Sequence, residues 1–588
     1  MDPTNGNTAL ASALVEELAR SGVRHAVICP GSRSTPVALA LLREPGIATT
    51  SVVDERSGGF FALGAALASR RPVAIACTSG TAAANLHPAV AEANEASVPL
   101  IVLTSDRPPE LRGVGAGQTI DQVKLYGSSV RWFSEMGTHD ADDAGLLHMR
   151  SSACHAYGAA AGDPRPGPVH LNLSWREPLG PEPRECDVTA STRLALDGRG
   201  DQPLSAVLGP PPTLGPETLD AIAGDLAKSK RGLILAGRQT DPELAPAIAA
   251  LSVATGFPVL AEPTSQLRLG AHSDANVIWA YDAIARACPA ELEPELVLRF
   301  GDMPTSKALR KWLTALPAST QLVVDQAATW NDPTRTAGLT LRAEPRTLAL
   351  ALQERVGEAR KSAFADAWRA ANDAAAQAIR AELSRLGGTL NEPAVHMSVG
   401  AALRDSDLVF LASSMPLRDA EAFLPASSRE VLVLSNRGAN GIDGTVSSAI
   451  GAAVASKRPA WVLIGDLALH HDSNGLALLR HAEAPVRIVC LNNDGGGIFE
   501  FLPQASQIAR GEFEAIFGTP LGLDLSHLAA LHGVEHRRIA SLDELGGAAS
   551  PNHILIEVPI DRAANVGVHD GIWAGVADAI APPRADSG

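Results

Sequence analysis

The sequence predicts an α/β protein made of three doubly wound, mostly parallel-sheet domains. Two observations carry this. Near the N-terminus, short apolar runs that end in loops rich in Gly, Ser, Asp and Arg alternate with helix-patterned segments four times in succession, the signature of a parallel sheet. The same alternation resumes after a Pro- and Gly-rich stretch, and again after an Ala-rich one. With 588 residues, 46% of them hydrophobic, the chain can bury several cores.

Charge and cysteine content exclude some functions. A net charge of −16, from 49 basic and 65 acidic residues without a Lys/Arg block, argues against a nucleic-acid partner. An anionic ligand must then be held by local arginines working against the overall field. The six cysteines (29, 77, 154, 186, 288 and 490) show no C-x-x-C or metal-ligand spacing and read as reduced, mostly buried thiols. The start MDPTNGNTAL has no basic and apolar leader pattern, and no run approaches about 20 apolar residues. A cytoplasmic protein without a membrane span is expected.

In order, 8–21 reads as an amphipathic helix (Leu10, Leu14, Val15, Leu18), and 25–29 as a strand entering Pro30-Gly31-Ser32-Arg33-Ser34-Thr35-Pro36. Backbone N–H groups and a guanidinium at such a strand end suit an anion; a plain tight turn is the other reading. Strand 49–53 precedes Asp54-Glu55-Arg56 and a helix bearing Phe60, Phe61, Leu63 and Leu67. Taken alone, Glu55 is dipole compensation. Strand 73–77 leads to Thr78-Ser79-Gly80-Thr81, and strand 100–103 to Ser105-Asp106-Arg107-Pro108-Pro109. Residues 113–135, with Gln118, read as a glycine-rich loop and an irregular, partly helical segment, and 169–173 as the closing strand.

The domains are expected at 1–185, 217–357 and 358–588, with 186–216 as a linker. The central one carries strands 232–236, 258–261, 296–300 and 321–325 and a helix near 242–254. It lacks a G-x-G-x-x-G, so no dinucleotide is indicated. A polar, Ala-rich helix near 358–386 leads out of it. The third has strands 408–412 and 431–434, the loop SNRGANGIDG at 435–444, a helix over 445–456, and a strand 461–464 ending at Gly465-Asp466. A helix is expected from Asp472 or Ser473, both good N-cap types, then a strand 486–491 ending at Asn492-Asn493, with 554–559 closing the sheet. The first and third domains alternate alike, which points to two related sheets, although no clear internal repeat is visible.

Asp466 and Asn493 thus sit at carboxyl ends of neighbouring strands, where open α/β sheets place ligands. A carboxylate, an amide oxygen and a carbonyl from Gly495-Gly496-Gly497 are hard donors suited to Mg²⁺ completed by phosphate oxygens. Alone, they also read as turn residues.

The Gly-Asp to Asn-Asn spacing resembles the metal and diphosphate motif of thiamine-diphosphate enzymes, with Leu467 where the general motif has Gly. PGSRSTP (30–36), DERSGGFFALG (54–64), TSGTA (78–82), SDRPPELRG (105–113), SNRGANGIDG (435–444) and GDL with NNDGGGIF (492–499) together resemble one family. It is the menaquinone-pathway 2-succinyl-5-enolpyruvyl-6-hydroxy-3-cyclohexene-1-carboxylate synthases. The matches cover the first and third domains.

The resemblance implies a pyrimidine-binding, a central and a diphosphate-binding domain, and a homodimer or tetramer with thiamine diphosphate held between chains. It implies that Glu55 is the catalytic glutamate at the aminopyrimidine, and that Ile442 bends the cofactor. Gln118, Asp466, Leu467 and Asn493 would contact the cofactor, and Asp466, Asn493 and the Gly495 carbonyl would hold Mg²⁺ (or Mn²⁺). The implied reaction decarboxylates 2-oxoglutarate and adds the resulting carbanion 1,4 to isochorismate. Ser32, Arg33, Arg107 and Gln118, with Arg418 and Arg437 from the third domain, match substrate positions; a planar guanidinium binds carboxylate in a bidentate manner.

Gly117 stands where some relatives have Asn, and Asp494 where Asn is common, adding a negative charge near the metal. His470 and His471 read as loop residues over the diphosphate pocket. Another thiamine-diphosphate 2-oxoacid decarboxylase or an acetohydroxyacid synthase-like carboligase is the nearest alternative; a non-catalytic member of the fold is a second, opposed by Glu55, Asp466 and Asn493 all being present.

Overall fold

A computed structural model describes residues 1–581 apart from 163–164, 271, 273–275, 317–318 and 547–549. It contains three six-stranded sheets. The first holds β1 (His25–Ile28), β2 (Ala48–Ser51), β3 (Val73–Cys77), β4 (Leu100–Asp106), β5 (Trp132–Glu135) and β6 (Pro168–Ser174), in the order β2-β1-β3-β4-β6-β5. Neighbouring strands run parallel, for instance Val73 beside Leu100 and Leu100 beside Pro168. Strands β3, β4 and β6 are buried throughout, as a sheet covered on both faces requires.

The central sheet holds β7 (Gly232–Ala236), β8 (Val259–Ala261), β9 (Val277–Ile278), β10 (Leu296–Phe300), β11 (Thr320–Val324) and β12 (Leu339–Leu341), ordered β12-β11-β10-β7-β8-β9. Counted from its own first strand this is the Rossmann order. The third holds β13 (Leu408–Leu411), β14 (Leu432–Leu434), β15 (Ala460–Gly465), β16 (Val486–Asn492), β17 (Glu535–Arg538) and β18 (Ile554–Pro559), ordered β14-β13-β15-β16-β18-β17. Strand for strand this repeats the first sheet, so the relation between the two is topological even though no sequence repeat announces it.

That shared order fixes where ligands belong. The chain passes from β1 out to β2 and back across to β3, so the crevice between β1 and β3 is the switch point of the first sheet; its counterpart in the third lies between β13 and β15. Loops 30–36 and 78–81 flank the first, and the residues after β13 and after Gly465 flank the second.

The chain separates into two compact units, one of Met1–Pro210, Asn436–Lys457 and His471–Ala484, the other of Pro211–Ser435, Arg458–His470 and Pro485–Gly588. Within the first, helix Glu55–Ser69 crosses helix Thr445–Ser456 at glycines. A Cβ on Gly64 would lie 1.8 Å from the Ser448 carbonyl oxygen, and one on Gly451 would lie 2.1 Å from that of Phe61. The Ser448 hydroxyl donates to the Phe60 carbonyl at 3.0 Å. Within the second, buried Arg268 donates to the carbonyls of Ala261, Ala420, Glu421 and Leu424 and ties its segments together.

Three expectations are corrected. The helix expected at Asp472 begins at Asp466, directly after β15, and runs to His471; Ser473–His481 is a 3₁₀ segment. Asp472 makes no cap bond there. Its buried carboxylate instead accepts from the Ser447 N–H at 2.7 Å and hydroxyl at 3.0 Å. Neither 169–173 nor 554–559 closes its sheet: β5 and β17 lie outside them. Segment 132–135, expected irregular, is that edge strand β5.

Candidate active site

In the first unit, Asp54 caps helix Glu55–Ser69 by accepting from the N–H groups of Arg56 and Ser57. Glu55 is therefore fixed in the first helical turn, half-buried, close enough to Cys29 and Cys77 that its charge helps raise both thiols; burial is the larger cause. Asn474 donates to the second oxygen of Asp54 at 2.8 Å, and Arg56 donates to the His471 carbonyl at 2.9 Å.

Arg33 is buried, donating from Nη1 to the Trp175 carbonyl at 2.9 Å and pairing with Glu177 at 3.2 Å. Its Nε is buried without a hydrogen bond among the described residues. Burial, then the nearby Arg107 cation, pulls its pKa down. Arg107 donates from Nη1 to the Ser79 hydroxyl at 2.7 Å and from Nη2 to the Gly117 carbonyl at 3.0 Å. Ser79 donates to the Gln118 carbonyl at 3.0 Å, and the Gln118 amide donates back to the Ser79 carbonyl at 3.0 Å. The loops carrying Ser79, Arg107 and Gln118 are thereby laced into one rim, and the Arg107 charge lies near that of Arg33, which follows an exposed Ser32, an arrangement that attracts an anion. Gly117 contributes its carbonyl to this lacing.

Arg437 and Ile442 belong to the same unit. Their loop is anchored by buried Glu92, whose oxygens accept from the N–H groups of Gly438 and Ala439, both at 2.6 Å.

The second unit holds Asp466, Leu467, Asn493, Gly495 and Arg418. Asp466 is buried, one oxygen accepting from the Gly495 N–H at 2.8 Å, and burial pushes its pKa up to about 6. Leu467 follows it, half-buried in the helix. Asn493 donates from Nδ2 to Glu392 Oε1 at 3.1 Å, while its Oδ1 is buried with no hydrogen bond among the described residues. Gly495 has φ +140°, and a Cβ there would meet the Gly518 carbonyl at 2.1 Å, so the turn that carries its carbonyl admits only glycine. An ionised carboxylate, an orphaned amide oxygen and a carbonyl from one turn could hold a hard divalent cation that takes its remaining ligands from phosphate and water. Asp494 points its Oδ1 at the N–H groups of Leu521 and Gly522, at 3.0 and 2.8 Å, and its charge still contributes to the upward shift of Asp466. His470 and His471 are exposed, and among the described residues no group of three His, Cys, Asp or Glu is placed to hold a metal.

Arg418 lines a cavity of about 1110 Å³ with Lys307, Arg286, Met415, Ile498 and Leu502. Lys307 was not marked as a candidate from the sequence. It opens helix Lys307–Thr314, a position where the helix dipole disfavours a cation, and that mismatch is the signal that could have found it.

Two sheets of identical order, with an acid at a helix start on one and a cation cradle at the carboxyl ends of β15 and β16 on the other, fit a thiamine-diphosphate enzyme. Three family descriptions match in order: "Thiamine pyrophosphate enzyme, N-terminal TPP binding domain" over residues 8–125, "Middle domain of thiamine pyrophosphate" over 219–411, and "Thiamine pyrophosphate enzyme, C-terminal TPP binding domain" over 420–550. Among curated proteins, the chain is 44% identical to the 2-succinyl-5-enolpyruvyl-6-hydroxy-3-cyclohexene-1-carboxylate synthase of Myxococcus xanthus, covering 97% of this chain and 98% of that one. It is 44% identical to the protein of the same name from Geobacillus kaustophilus (97% and 98% covered) and 41% to that from Chloroflexus aurantiacus (97% and 96% covered). The chain belongs to the 2-succinyl-5-enolpyruvyl-6-hydroxy-3-cyclohexene-1-carboxylate synthase family. No described helix is long and apolar enough to cross a membrane.

Proposed function

We propose that this enzyme decarboxylates 2-oxoglutarate and joins the remaining succinyl unit to isochorismate by 1,4-addition. The products are 2-succinyl-5-enolpyruvyl-6-hydroxy-3-cyclohexene-1-carboxylate and CO₂, in menaquinone biosynthesis. The observation that carries this reading is the pair of neighbouring guanidinium groups of Arg33 and Arg107, the latter laced to Ser79 and thereby to Gln118, suited to a dicarboxylate acceptor.

When bound, thiamine diphosphate supplies a carbon nucleophile and an electron sink for decarboxylation. The chain's residues do the rest. Glu55, held by the Asp54 cap, holds a proton against the aminopyrimidine N1′. Asp466, Asn493 and the Gly495 carbonyl would hold Mg²⁺ (or Mn²⁺), and Leu467, Gln118 and Ile442 would contact the cofactor. Ser32, Arg33, Arg107 and Gln118 would engage isochorismate, and Arg418, Arg437 and Lys307 would serve as further partners for substrate carboxylates. The active form is a homodimer or tetramer whose sites lie at the chain interface, and the enzyme works in the cytoplasm.

The test is consumption of isochorismate by the purified protein supplied with thiamine diphosphate, Mg²⁺ and 2-oxoglutarate. Loss of turnover when any one component is omitted, and in Glu55→Gln, is the expected result. Turnover of 2-oxoglutarate alone, with isochorismate untouched, would favour a simple decarboxylase.

A further inference from the structure

An amide side chain can ligate a cation only through its oxygen, so something must decide which end of Asn493 faces the metal. Its Nδ2 donates to Oε1 of Glu392 at 3.1 Å, which leaves Oδ1 buried and without a hydrogen bond among the described residues. The Oε1 that meets Nδ2 acts as an acceptor there, and an acceptor oxygen takes the NH₂ end of the amide. Flipping Asn493 would set two oxygens against each other in a buried place and turn an N–H toward the metal.

Glu392 is itself held from several directions. It opens helix Glu392–Ala402, whose first turn is capped by Asn391 accepting from the Ala394 N–H at 2.9 Å. Its backbone N–H donates to Oδ1 of Asn565 at 3.2 Å, and its side chain lies near the Asp419 carboxyl, which adds to the upward pull that burial exerts on its pKa. Asp419 in turn meets Nε2 of His569 at 2.9 Å, and Nδ1 of His569 donates to the Asn565 carbonyl at 2.8 Å. A side chain 1% exposed that meets an amide 101 residues further along the chain has no need of a carboxyl for packing alone.

We propose that Glu392 is a positioning residue: it fixes the rotamer and amide orientation of Asn493 so that Oδ1 is presented to the divalent cation. This rests on the assignment of Asn493 as a metal ligand. Partners that orient metal ligands typically contribute about 10–100-fold to metal affinity.

The test reads metal binding directly, by titrating Mn²⁺ into the full-length protein with thiamine diphosphate present and following free Mn²⁺ by electron paramagnetic resonance. Glu392→Leu is expected to weaken Mn²⁺ binding by about 10–100-fold, and Glu392→Gln, whose carbonyl can still accept from Nδ2, to bind close to the parent. Glu392→Asp keeps a buried carboxyl but withdraws it by one methylene, and it is expected to show a loss like that of Leu; it decides the matter should the Leu variant fail to fold. Parental affinity in Glu392→Asp, or equal losses in Gln and Asp, would overturn the positioning role. Asn493→Ala is the separate control: parental Mn²⁺ affinity there would overturn the ligand assignment itself.

Discussion

Arg107 spends both terminal nitrogens on the rim, on the Ser79 hydroxyl and the Gly117 carbonyl, and stands beside Arg33. A charge-assisted hydrogen bond contributes about 1.5–3 kcal/mol, so Arg107→Ala is expected to raise the isochorismate KM about 10–100-fold while leaving that for 2-oxoglutarate nearly unchanged. Equal increases for both substrates in steady-state assays would count against its place at the acceptor. His170 gives a prediction of another kind. Its Nε2 lies 2.7 Å from the Thr104 hydroxyl, which itself donates to Asn172, so Nε2 carries the hydrogen and Nδ1 is left buried without a partner among the described residues. Burial pushes its pKa down to about 3. Because the folded value lies below the unfolded one, near 6.5, its contribution is complete above pH about 6.5 and is lost as pH falls toward 3. Urea unfolding at pH 7 and pH 4 should show about 3 kcal/mol of that difference disappearing in His170→Gln. An unchanged difference would mean that other groups set the acid limb.

At the scale of elements, the crossing of helices Glu55–Ser69 and Thr445–Ser456 depends on absent side chains. Alanine at position 64 would gain up to about 1 kcal/mol of helix propensity, yet its Cβ would fall 1.8 Å from the Ser448 carbonyl oxygen. Overpacking against backbone costs about 1–3 kcal/mol or more, so Gly64→Ala is expected to lower the melting temperature; an increase would show that the helices separate freely. Such contacts explain what the sequence pattern could and could not convey. Fully buried strands such as Val73–Cys77 and Gly232–Ala236 stand out as apolar runs between breakers, and their bounds are as expected. Edge strand Trp132–Glu135 is only half-buried and carries Ser and Glu, so its pattern resembles a loop. Asp472 looked like a cap because caps and buried hydrogen-bonded aspartates use the same residue type, and only the tertiary fold brings Ser447 to it. Glu392 carries no local signal at all, since its meaning lies in an amide a hundred residues away. The motif loops were legible because parallel sheets put all strand carboxyl ends on one rim, so a functional residue follows its strand directly in sequence.

At the scale of the whole molecule, Glu55 belongs to one compact unit and Asp466 to the other. If each active site takes its acid from one chain and its metal cradle from the partner, inactive Glu55→Gln and Asp466→Ala proteins should regain activity when mixed and allowed to exchange subunits. A mixed dimer then holds one site with both lesions and one with neither. Persistent inactivity after exchange, with mixed dimers confirmed by mass, would place both residues of a site on one chain.

The central claim, decarboxylative joining of 2-oxoglutarate to isochorismate, is tested most directly by product mass from 2-oxoglutarate labelled with ¹³C at every carbon except the 1-carboxylate. The predicted result is unlabelled CO₂ and a product carrying all the labelled carbons on an intact isochorismate skeleton. Labelled succinic semialdehyde released beside unreacted isochorismate would contradict it.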